Sequence, residues 1–258
     1  MFRRAIVRPP GANFANGLTT SRLGAPDVDL AQRQHESYCR ALEECGLELI
    51  RLTVDSGHPD STFVEDTAIL TIQSAILTRP GAPSRLEEVA EIGDAVQKVY
   101  EVVHKIEPPG TVDGGDVCET GSHFFIGLSQ RTNEEGARQL ARLLAADGFT
   151  ATTVDIRSNH SILHLKSGIA YLDHKNLVVM EELARREEFS GYHLIAVPIA
   201  ESYACNCVLV NGRVLVAAGF PELQSKLVES GYEPVQLDMS EFRKMDGGLS
   251  CLSLRFSR

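Results

Sequence analysis

Short apolar runs, each opened by a polar residue and broken by a turn, dominate the chain, and five of them can be laid one over another. They cover residues 66–78, 116–128, 164–172, 206–216 and 251–256, and begin with Asp66, Asp116, His164, Asn206 and Cys251. Each reads as a strand with a polar head, most often followed by a turn and a second strand. The period is roughly 45 residues, long enough for a ββαβ unit. Helical spacing fills the gaps. Leu86 to Tyr100 carries Leu86, Val89, Ala90, Ile92, Ala95, Val96 and Val99 on one face, and Asn133 can cap a helix from Glu134 to Asp147 that Gly148 ends. The fifth run offers only one strand after Cys251. Its continuation is the strand at residues 3–8, a helix around Leu30 to Cys45 and a strand from Leu47 to Leu52, which closes a ring. In such a ring the strand heads converge on the axis, so Asp66, Asp116, His164 and Cys251 share one cleft. The expected fold is therefore α/β, five units in one domain spanning residues 1–258.

Composition narrows what that domain does. With 258 residues, 43% of them hydrophobic and 23% charged, the chain can bury a sizeable core. Lys and Arg number 25 against 35 Asp and Glu, a net charge of −10, and no basic cluster interleaved with aromatics occurs, which argues against nucleic acid. No run approaches the roughly 18 apolar residues of a membrane span, so the expectation is a soluble, cytoplasmic protein. Six cysteines without a C-x-x-C motif are expected to be free thiols. His160 and His164 have metal-ligand spacing for a helix, but Ser158-Asn159 and Gly168 around them point to a loop entering a strand, and neither a metal nor a cofactor is expected.

Three segments carry candidate chemistry. Cys251 lies in Met245-Asp246-Gly247-Gly248-Leu249-Ser250-Cys251, His164 in Leu163-His164-Leu165-Lys166, and Asp113 in Asp113-Gly114-Gly115-Asp116. A thiol, an imidazole and a carboxylate are the parts of a cysteine nucleophile, its acid/base partner and an orienter. The segment Pro59-Asp60-Ser61-Thr62-Phe63-Val64-Glu65-Asp66 sets acids around Phe63, which suits a planar cation. Attack of a thiolate on a guanidinium follows.

These segments, with Thr78-Arg79-Pro80-Gly81 and Arg85, Ser129-Gln130-Arg131-Thr132-Asn133 and Ala204-Cys205-Asn206-Cys207, resemble the dimethylarginine dimethylaminohydrolase family of the guanidino-group-modifying superfamily. The resemblance spans nearly the whole chain. It implies the pentein fold, a five-bladed α/β propeller around a central channel, and hydrolysis of Nω-methylated arginines to citrulline and a methylamine through a Cys251 thiouronium. It makes His164 the acid/base and Asp113 its orienter. Asp66 and Glu65 become acids of the guanidinium pocket beside Phe63, Arg85 and Arg131 the carboxylate holders, and Asp60 the partner of the α-amino end. Leu18 and Met245 would offer backbone carbonyls, Leu18 from a lid at residues 17–21. A small-molecule substrate, no cofactor and a homodimer are implied. Arginine deiminases and amidinotransferases of the superfamily carry an acid two residues after the histidine, where this chain has Lys166, so a methylated substrate is favoured over free arginine. A non-catalytic arginine-binding protein is the alternative from another class, and retention of Cys251, His164 and Asp113 together speaks against it.

Overall fold

A computed structural model describes all 258 residues. The chain opens with β1 (Arg4–Val7), α1 (Val28–Glu44) and β2 (Glu48–Arg51). Next come β3 (Ala68–Leu70), β4 (Ala75–Leu77), α2 (Val89–Gln97) and β5 (Val103–Lys105), then β6 (Val117–Glu119), β7 (His123–Leu128), α3 (Glu134–Ala146) and β8 (Thr150–Asp155). They are followed by β9 (Ile169–Tyr171), β10 (Asn176–Met180), β11 (His193–Val197), β12 (Val208–Val210), β13 (Arg213–Ala217), α4 (Pro221–Glu229), β14 (Glu233–Leu237), the single turn α5 (Ser240–Arg243) and β15 (Leu254–Phe256).

Fifteen strands make five separate three-stranded sheets, one per repeat. In β3-β4-β5, β6-β7-β8, β9-β10-β11 and β12-β13-β14 the first pair is antiparallel and the second parallel. A tight turn suffices for the first pair, whereas the parallel pair needs a crossover, supplied by α2, α3 and α4 in three units. The β10–β11 crossover uses turns and a 3-10 segment at Glu187–Phe189 instead, and Phe189 is fully buried edge-on to Phe125. The fifth sheet is β15-β1-β2, with Arg4 opposite Phe256 and Ile6 opposite Leu254. The expected pairing of the first and last strands is therefore present.

Local chemistry fixes these elements. Asp27 caps α1 through Leu30 N–H, and Asn133 caps α3 through Gly136 N–H at 2.7 Å. Asn211 and Gly212, at φ +49° and +97°, make the two-residue turn between β12 and β13. The helix expected from Leu86 begins later, at Val89. Pro83–Glu88 is a 3-10 segment that turns Arg85 and Glu88 inward, and Leu86 is left 36% exposed. Ile92, Ala95 and Val96 form the buried face of α2, and the largest apolar core, of 44 residues, runs from α1 through the third and fourth sheets. No helix is long and apolar enough to cross a membrane.

Candidate active site

The polar heads do not open the strands. They sit one turn earlier, on 3-10 segments at Val64–Thr67, Gly114–Asp116, Leu165–Ser167, Ile199–Cys205 and Ser250–Leu252 or on the residue flanking them. A turn end leaves backbone N–H and C=O groups unpaired, so neighbouring turns satisfy one another across units. The Val64–Thr67 turn packs on both Ser250–Leu252 and Gly114–Asp116; the latter meets Leu165–Ser167, which meets Ile199–Cys205. Side chains from five sheets thereby meet in one layer. Gly114 and Gly115 allow these approaches, since a Cβ at Gly114 would overlap the Glu65 carbonyl oxygen, and one at Gly115 would lie 2.8 Å from His164 Nδ1 and 2.9 Å from Asp66 Oδ1. The Asp113–Asp116 run is a turn, as its glycines suggest, and also the surface against which His164 and Asp66 rest.

His164 Nε2 lies 3.0 Å from Asp113 Oδ2, while Asp113 Oδ1 accepts Gly81 N–H at 2.7 Å. Asp66 accepts Gly115 N–H at 2.8 Å on one oxygen and Arg85 Nη1 at 2.5 Å on the other. Asp116, fully buried, accepts Leu165 N–H and the hydroxyls of Ser129 and Thr132. Cys251 is half-buried, and its sulfur accepts Gly248 N–H at 3.4 Å.

Charge follows from this packing. Burial works to lower His164, but the negative charges of Asp66, Asp116 and Asp113 outweigh it and raise the imidazole to about 9. Burial works to raise Asp66, yet His164 and Arg85 bring its carboxyl down to about 2. Burial pushes the Cys251 thiol up to about 12, and the charges of Glu65 and Asp66 add to that. Without a ligand, near neutral pH, the site therefore holds an imidazolium and a neutral thiol. Donor atoms of Asp66, Asp113 and His164 lie within 4.8 Å of one another, a separation that fits a metal ion. Arg85 and the imidazolium already supply positive charge there.

The other residues singled out in the sequence divide between the two sides of this layer. Asp60 is buried and accepts Leu18 N–H on both oxygens, at 3.0 and 3.1 Å, tying residues 17–21 to the site; burial raises its carboxyl. Phe63 joins Phe14 and Phe242 in an aromatic cluster, and Met245 is buried beside Gly17. Arg131 is half-buried on the loop whose Ser129 and Gln130 line a cavity of about 460 Å³, together with Thr20, Leu163, Asn206 and Gly247. Arg85 is buried and largely committed: besides Asp66 it donates to Glu88 and to the carbonyls of Asp60 and Phe63. Glu65 faces the opposite way. Its carboxylate takes Lys166 Nζ at 2.6 Å and Ser250 Oγ at 2.6 Å, and all three border a second cavity of about 700 Å³ between the inner strands. Lys166 thus points at Glu65. The sequence reading missed that pair, along with Asn206 and Asp246, which accepts both Thr20 N–H and the Thr20 hydroxyl. Only the repeat pointed to Asn206, by putting it at a head position. All six cysteines are free, and Cys39, Cys118, Cys205 and Cys207 are buried.

Five three-stranded units whose turns gather a thiol, an imidazole and carboxylates define an arginine deiminase-like protein, and a family model described as arginine deiminase matches residues 91–196. Within that class the chain belongs to the dimethylarginine dimethylaminohydrolase family. It is 46% identical to the N(G),N(G)-dimethylarginine dimethylaminohydrolase of Pseudomonas aeruginosa, over 99% of this chain and 100% of the relative. To the Streptomyces coelicolor protein of the same name it is 34% identical over 98% and 96%. A solved Pseudomonas aeruginosa structure, a cysteine-to-serine mutant complexed with citrulline, superposes with a TM-score of 0.96 at 45% identity, covering 99% of this chain and 100% of that one. The N-terminal domain of a cyanobacterial arginine dihydrolase, 18% identical with a TM-score of 0.89, shares the fold.

Proposed function

We propose that this protein hydrolyses Nω-methylated arginine to citrulline and a methylamine through a covalent adduct on Cys251. The observation that carries this is the packing of the Cys251 turn on the Asp66 turn, with donor atoms of Asp66 and His164 within 4.8 Å of one another, in a chain that matches named dimethylarginine dimethylaminohydrolases from end to end. The guanidinium binds against Asp66, and its positive charge beside the sulfur favours loss of the thiol proton to solvent. Sulfur then bonds to the guanidinium carbon. The bond from that carbon to the methylated nitrogen breaks, its electron pair stays on nitrogen, and the imidazolium of His164 supplies the proton with which the amine leaves. A thiouronium remains. Neutral His164 next takes a proton from water and oxygen adds to the carbon; the C–S bond then breaks with its electron pair on sulfur, the hydroxyl proton passes to solvent, and citrulline and thiolate are released. Asp113 holds the imidazole in place throughout.

In this reading Asp60 faces the α-amino group, Arg131 takes the carboxylate, and Leu18 and Met245 contribute backbone carbonyls. Arg85 acts mainly by holding Asp66, and Glu65 contributes charge from behind the layer. Residues 1–258 act as one catalytic unit, and the β15–β1 pairing supports closure of the five units into a five-bladed propeller. The test is citrulline release from arginine, monomethylarginine and asymmetric dimethylarginine. Release from the methylated compounds is expected; turnover of free arginine alone would replace this reading with a deiminase.

A further inference from the structure

The fourth head position has no part in the reaction above, yet its side chain touches two of the turns that do. We infer that Asn206 is a positioning residue whose carboxamide ties the turn bearing Cys251 to the turn following His164, fixing sulfur and imidazole relative to one another. Its Oδ1 accepts Ser250 N–H at 2.8 Å, and its Nδ2 donates to Lys166 C=O at 2.9 Å and to Ser250 Oγ at 3.1 Å. One planar group supplies an acceptor and two donors, which neither a carboxylate nor a hydroxyl does. Asn206 is itself held, being 7% exposed between the buried Cys205 and Cys207 at the entry to β12.

The glycine loop leans on the same carboxamide. A Cβ at Gly248 would lie 2.5 Å from Asn206 Cγ and Oδ1, so only glycine lets the chain pass there, and Gly248 N–H is the group donated to the Cys251 sulfur. Ser250 hands the contact on to Glu65 and so to the Val64–Thr67 turn. Removing the carboxamide frees the loop from the His164 turn while leaving Asp60, Asp66 and Arg131 as they are. Displacement of a reacting group by about 1 Å can cost on the order of 100-fold in rate.

The inference rests on the Cys251 reading, and the experiment separates the two. Asn206→Ala and the isosteric Asn206→Asp are compared with Cys251→Ser for kcat and KM on asymmetric dimethylarginine, for Tm, and for the pH profile of alkylation by iodoacetamide. We expect kcat of Asn206→Ala to fall roughly 100-fold with KM within threefold. Its alkylation profile moves to higher pH as Gly248 N–H loses its register with the sulfur. Asn206→Asp keeps the acceptor for Ser250 N–H and the fit against Gly248, so it should fold and show the same split, and it decides the matter if the alanine variant does not fold. A kcat within threefold of wild type in the folded variants overturns the inference. So does a loss of kcat that merely tracks the unfolded fraction, with an unmoved alkylation profile. Turnover by Cys251→Ser would instead remove the nucleophile itself, whatever Asn206 does.

Discussion

Replacing a neutral alkylating agent by a cationic one of equal size will change the reactivity of Cys251 far more than it changes that of an ordinary thiol. Burial and the charges of Glu65 and Asp66 hold this thiol at about 12. Against a reference near 8.5, its thiolate fraction at neutral pH is smaller by roughly three orders of magnitude. A more basic thiolate is also a better nucleophile, and with a Brønsted slope of about 0.5 half of the logarithmic deficit is recovered. Iodoacetamide should therefore react with Cys251 roughly 30-fold more slowly than with N-acetylcysteine, and the half-buried Cys45 should compete for it. A positive charge about 4 Å from the sulfur, at an effective dielectric constant of about 20, stabilises the thiolate by about 4 kcal/mol. That corresponds to roughly 1000-fold in thiolate fraction and, with the same slope of about 0.5, to roughly 30-fold in rate. The assay is pseudo-first-order labelling at pH 7.4 by iodoacetamide and by a haloacetamidinium, with Cys251 occupancy read by mass spectrometry. Each rate is divided by that of the same reagent on N-acetylcysteine. A normalised ratio near one, or a Cys251 that titrates near 8.5 toward iodoacetamide, would refute the idea that a bound cation ionises this thiol.

Cys251→Ser should retain fold and citrulline binding, measured by calorimetry, while losing turnover; more than a few per cent residual activity rules Cys251 out as nucleophile. The folded-state pKa of His164 lies above its ordinary 6.5, so the stability it contributes is full below about 6.5 and fades as pH rises through about 9. Asp113→Asn should flatten that part of the Tm-against-pH curve and lower kcat, and an unchanged curve would count against the His164–Asp113 pair. Micromolar zinc should inhibit by bridging Cys251 and His164, whereas exhaustive chelation should leave turnover intact; activity restored by one particular metal would defeat this. Lys166→Asp puts a second carboxylate against Glu65, so the expected outcome is a large fall in Tm, in line with the 3–5 kcal/mol typical of breaking a buried ion pair. A stably folded variant whose preference merely narrows toward arginine would return Lys166 to the substrate side.

The repeat was legible because strand and helix periods are local properties, and it put Asp66, Asp116, His164 and Cys251 at equivalent positions of their units. The pairing of β15 with β1 followed from one missing strand. Side-chain direction was not legible. Nothing in Leu163-His164-Leu165-Lys166 says that the histidine faces Asp113 while the lysine two residues on faces Glu65, because that depends on how a 3-10 turn twists before β9. Arg85 posed the same difficulty: it directly precedes the Leu86 run, yet two buried acids and two carbonyls draw it inward.

Because the sheet that follows Cys251 is built from β15 together with β1, the order of synthesis matters to when this site comes into being. β1 leaves the ribosome early and waits, with its β15-facing edge unpaired, until residues 254–256 have followed. Contacts of such wide sequence separation form late and slowly. The four intervening units can gather first, yet in a nascent chain the thiol has no partner imidazole held beside it. Reactivity toward guanidinium compounds should then appear in a single late step of folding, and a ribosome-stalled chain ending before residue 254 should carry the histidine and both aspartates without any turnover.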